Sequence, residues 1–84
     1  MPSPTQPVTL SASQIEELNR QLSTMRHDIN NHLSLMMAAV ELMQRKPDAI
    51  ERMSGTLAEQ PAKISAAMTK YSANFENVFG IKRD

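Results

Sequence analysis

Eighty-four residues make at most one small domain, and a lone chain of this length buries too little surface for generous stability. Hydrophobic residues are 40% of the total, aromatics 4%, and cysteine is absent, so the core is aliphatic and methionine-rich, with no disulfide or thiolate metal site. Nine basic residues balance nine acidic ones, which argues against a nucleic-acid partner, and no apolar run is long enough to span a membrane.

Residues 1–10 hold three of the five prolines and little apolar periodicity, the composition of a flexible arm. They lack the basic region and apolar core of a signal peptide, so a cytoplasmic location is expected. A capping box then opens a helix, formed by Ser13 with Glu16 or, two residues earlier, by Ser11 with Gln14. From there apolar residues recur on a heptad. Ile15, Leu22, Ile29, Met36 and Met43 form one row (a), and Leu18, Met25, His32 and Ala39 form a second (d). Leu33 and Val40 widen the stripe on its e side, as in a bundle helix. The spacing predicts a helix over about residues 13–45, roughly 45–50 Å long at 1.5 Å per residue.

Lys46-Pro47-Asp48 ends that helix, because proline disfavours helical geometry in the residue before it and suits the first turn of the next. A second helix over about 48–79 carries Ile50, Met53, Leu57, Ile64, Met68, Tyr71, Phe75 and Val78 on one face. Pro61 lies inside this pattern; the apolar face stays in phase across it, which predicts one bent helix. Gly55 weakens the same half, while Gly80 stops the helix, with Ile81 placed to fold back on the last turn. Residues 81–84 are then a tail. The expected fold is all-α: a helical hairpin over residues 11–80. Two amphipathic helices joined by a tight turn cannot hide both stripes alone, so a homodimer closing an antiparallel four-helix bundle is expected.

The chemistry-bearing segment is His27-Asp28-Ile29-Asn30-Asn31-His32. Neutral imidazole is a nucleophile at cellular pH. His27 falls at an f position, opposite the apolar seam and open to solvent, whereas His32 falls in the d row as a structural residue. Asp28 would fix the ring tautomer with Nε2 free if its carboxylate reached Nδ1–H. Asn31, one turn beyond His27, shares its face, where an amide can position a water or bond a phosphoryl oxygen. Spacing alone also fits a solvated polar face with no task. Two histidines at i and i+5 make no metal pair, so neither a metal nor a bound cofactor is expected.

The run Arg26-His27-Asp28-Ile29-Asn30-Asn31-His32-Leu33, followed by an apolar helix, a turn and a second amphipathic helix, resembles the dimerisation and histidine-phosphotransfer domain of sensor histidine kinases. The resemblance covers roughly residues 13–80, and its specific part is this run of eight. It implies that His27 accepts the phosphoryl group, that Asp28 acts as general base or orienting acid, and that Asn31 places the water used in phosphatase activity. It implies as partners a second copy of the chain, a response-regulator receiver domain, and a separate ATP-binding kinase domain. Many members carry a proline after the phosphoacceptor that bends the first helix; His32 or Leu33 stands there in this chain. With no glycine-rich nucleotide lid before Asp84, no autonomous ATP-dependent kinase activity is expected. The alternative, from another functional class, is a catalytically inert helical dimerisation scaffold or protein-interaction module.

Overall fold

The computed structural model describes residue 4 and residues 6–81; expectations for the outermost arm and for tail residues 82–84 lie outside them. Helix α1 runs Ala12–Arg45 and helix α2 runs Ile50–Phe79, with a single 3₁₀ turn, Pro47–Ala49, between them. The described residues are all-α, without strands, and no helix among them is long and apolar enough to cross a membrane.

The start of α1 settles between the two capping signals. Ser11, in extended geometry, accepts from the Gln14 amide at 3.1 Å, and the Gln14 side chain accepts from the Ser11 amide at 2.8 Å. The box built on Ser13 and Glu16 is not used. Starting at Ser11 adds two residues to the helix, and the Ile15 amide bonds the Ser11 carbonyl at 3.1 Å.

The turn follows from proline. Lys46 is pushed to φ −130, ψ 94, its amide still bonding the Leu42 carbonyl at 2.8 Å. Pro47 opens the 3₁₀ turn, which runs straight into α2, so α2 begins at Ile50 rather than near residue 48. So short a connection leaves the second helix no course but back along the first. At the far end Gly80 takes φ 67, and Ile81 donates to the Glu76 carbonyl at 2.8 Å, which closes α2 in the left-handed cap expected of glycine. Pro61 leaves α2 unbroken. It does remove the amide that would bond the Leu57 carbonyl, so this turn is one hydrogen bond short.

The hairpin measures 57 × 28 × 13 Å, a slab one helix thick, and its radius of gyration is 18.0 Å. A compact chain of this length would have about 12 Å. The difference shows in burial. Leu18 and Ala39 of α1 and Ala49 at the turn are the buried apolar residues, while the rest of the a and d rows is at best half-buried. Ala39, at 2% exposure, marks the close approach near the turn. Tyr71, Phe75 and Phe79 stack at one-turn intervals towards the open end, with centroid separations of 6.2 and 4.5 Å. There Pro4, Gln6, Pro7 and Val8 of the arm border an open hollow with Phe79.

Candidate functional site

His27, Asp28 and Asn31 all lie on α1, and the hairpin contact is made by the d row, so the polar arc opposite it is left to solvent. The His27 side chain is 74% exposed and that of Asp28 51%. A partner can reach the ring without unfolding anything.

Two groups compete for the inner nitrogen of His27. Asn31 Nδ2 is 3.5 Å from Nδ1, and Asp28 Oδ1 is 3.8 Å from the same atom. The first is at the limit of a hydrogen bond and the second beyond it. They also ask for opposite tautomers. An amide N–H donating to Nδ1 leaves the ring proton on Nε2, whereas a carboxylate accepting from Nδ1–H leaves the Nε2 lone pair free. Exchanging one arrangement for the other takes a turn of the Asp28 carboxylate towards Nδ1, a turn of the Asn31 amide away from it, and movement of the ring proton between the two nitrogens through solvent.

His32 is placed differently. It projects between the helices, half-buried, with Nδ1 2.8 Å from Oε1 of Gln60 on α2. Gln60 is 2% exposed, the most buried polar side chain among the described residues, and its Nε2 donates to the Thr56 carbonyl at 3.0 Å. The hydrophobic periodicity of α2 does not single out Gln60, because a polar residue is no part of that pattern. A signal was present: Met53, Gln60, Ala67 and Asn74 recur at heptad spacing, and Gln60 lies as far beyond Lys46 as His32 lies before it. An antiparallel hairpin turning near Lys46 can therefore set those two residues opposite each other.

Beside Asp28, a hollow of about 150 Å³ opens between the helices, bordered by Gln21 and Met25 of α1 and by Lys70, Tyr71 and Asn74 of α2. Gln21 gives its Nε2 hydrogen to Glu17 at 3.1 Å, while its Oε1 is buried without a hydrogen-bond partner. Glu17 also chelates Arg20 through two contacts. The Arg20 hydrogen bond is the main reason that the Glu17 carboxyl titrates below its ordinary range, and the same pairing raises Arg20. Among the described residues no three His, Cys, Asp or Glu side chains converge as metal ligands would.

Comparisons of the chain with known protein families, with curated proteins and with solved structures returned no match.

Proposed function

We propose that this chain is a dimerising phosphotransfer hairpin of two-component signalling, with His27 exchanging a phosphoryl group with a receiver-domain aspartate or a kinase's ATP-binding domain. The observation that carries this reading is the outward-facing His27 ring, whose Nδ1 has a carboxylate and an amide within 4 Å on the same helix.

The Asn31 amide turns away, the ring proton passes through solvent from Nε2 to Nδ1, and Asp28 rotates onto Nδ1–H, holding the proton there and leaving the lone pair on Nε2. Nε2 attacks the phosphorus of an acyl phosphate; the N–P bond forms as the P–O bond breaks, and the aspartate leaves as a carboxylate. The positive charge gained by the ring is stabilised by Asp28. In the reverse direction a receiver aspartate takes the phosphoryl group back. For hydrolysis, Asn31 orients a water towards the phosphorylated receiver, and His27 itself is not modified.

Dimerisation is part of the proposal. Ile15, Leu33, Met37 and Val40 on α1 remain exposed, as do Met68 and Phe75 on α2, Met37 to 68% and Met68 to 52%. Each large apolar side chain covered contributes about 1.5–3 kcal/mol. A second hairpin laid on this face supplies the missing half of a four-helix core and leaves the f position of His27 outside.

The second reading, an inert dimerisation scaffold, draws on the same apolar face and on the 3.5 Å Asn31 contact, since an amide donating to Nδ1 withholds the Nε2 lone pair. One experiment separates them. The protein is incubated with a phosphorylated receiver domain, and acid-labile, base-stable label is sought on the wild type, His27→Gln and His32→Gln. Label lost in the first variant and kept in the second supports phosphotransfer at His27. Label persisting in His27→Gln, or none from any of a panel of receivers, overturns it.

A further inference from the structure

We infer that Gln60 is the positioning residue of the hairpin: acting through the Nδ1–H of His32, it selects the register in which α1 lies against α2. Three observations converge on it. Gln60 is 2% exposed in a hairpin where few apolar side chains are buried so well. Its side chain joins the two helices, whereas the other side-chain hydrogen bonds described above link residues within one helix or its cap. It also immediately precedes Pro61, where α2 is short of a backbone hydrogen bond.

The direction of each bond follows from chemistry. The Thr56 carbonyl only accepts, so the Gln60 atom facing it is the Nε2 donor. That leaves Oε1, an acceptor, towards His32, and the ring nitrogen 2.8 Å away must be the donor. In neutral His32 the proton therefore sits on Nδ1 and the lone pair on Nε2. Reversing the amide would set two acceptor oxygens against each other at Thr56. The chain of bonds has one sense, and it closes only when His32 and Gln60 are level.

Register needs such a pin here. The rows that meet are rich in methionine and alanine, which pack tolerantly and discriminate poorly between neighbouring alignments. A slip of α1 by one turn would still bring apolar groups together, but it would leave Gln60 buried with its oxygen unbonded. A buried polar group trades stability for a single alignment, the role known for lone polar residues in coiled-coil cores. Because Asn31 precedes His32 and His27 lies one turn further back, the pin also sets which part of α2 flanks the outward histidine.

The test does not depend on phosphotransfer. The ¹⁵N-labelled protein is studied by NMR near pH ~8, where imidazole is neutral. In the wild type, His32 is expected to show a protonated Nδ1 and a lone-pair Nε2, with one set of amide signals. Gln60→Leu should shift the proton largely to Nε2 in His32 and leave the His27 signals unmoved. Gln60→Glu, which keeps an acceptor, should return it to Nδ1. In the double variant His32→Leu with Gln60→Leu, the melting temperature should rise while amide signals flanking Ala39 and Pro61 double or broaden. A wild-type His32 protonated on Nε2 would overturn the inference, as would a double variant with one sharp set of signals. Should Gln60→Leu fail to fold, the wild-type and Gln60→Glu spectra still decide it.

Discussion

Asn31 lies one helical turn beyond His27, its Nδ2 3.5 Å from the ring nitrogen that Asp28 approaches only to 3.8 Å. The two neighbours therefore act on one nitrogen in opposite senses, and their removal should be distinguishable. Asp28→Asn should slow labelling of His27 by about 10²-fold, the scale of a lost acid–base group. Asn31→Ala should leave labelling intact or faster, and slow phosphate release from a phosphorylated receiver by a similar factor. Helicity should be unchanged in both, since the residues are exposed. Time courses of label on the histidine and of released inorganic phosphate check the pair.

The uncovered face should make the protein a dimer at micromolar concentration. Leu33→Glu combined with Val40→Glu places two charges on it without touching the d row that holds the hairpin. The expected result by sedimentation is a monomer with reduced helicity, because a slab one helix thick has little core of its own. A wild type that sediments as a fully helical monomer would rule out the four-helix arrangement.

The two glycines should respond to alanine with opposite signs. Gly55 lies inside α2, exposed, and a Cβ there meets nothing within 4 Å. Gly55→Ala should stabilise by about 0.5–1 kcal/mol. Gly80 also has open space but sits at φ +67, so Gly80→Ala should cost roughly 1–2 kcal/mol. Denaturant titration of both variants measures the difference.

Acid should loosen the first turns of α1. The Glu17 carboxyl is lowered in the folded chain, chiefly by its hydrogen bond to Arg20. A depressed carboxyl stabilises the fold above its unfolded pKa, and that stability is lost as pH falls through the folded value. The pair is exposed at the surface, so the effect should be small and salt-sensitive. Glu17→Gln should flatten this part of the acid limb in a helicity-against-pH curve.

Much of the fold could be read from local rules. The heptad from Ile15 to Met43, proline after Lys46 and glycine at position 80 each act within a turn or two of chain, and the observed helices end where those residues place them. The His27 face was legible for the same reason, since a helix wheel needs only residues on one helix. The choice of Ser11 over Ser13 was not legible, because both boxes are chemically complete and only two residues separate them.

Periodicity, turn chemistry and the outward side of α1 thus came from the order of residues alone, because each depends on neighbours a few positions apart. The meeting of His32 with Gln60, and with it the proton on Nδ1 of His32, belongs to the folded hairpin. The reason is physical: a glutamine in an amphipathic helix suits solvent or core equally until the opposite helix brings a donor within 2.8 Å and shuts out water.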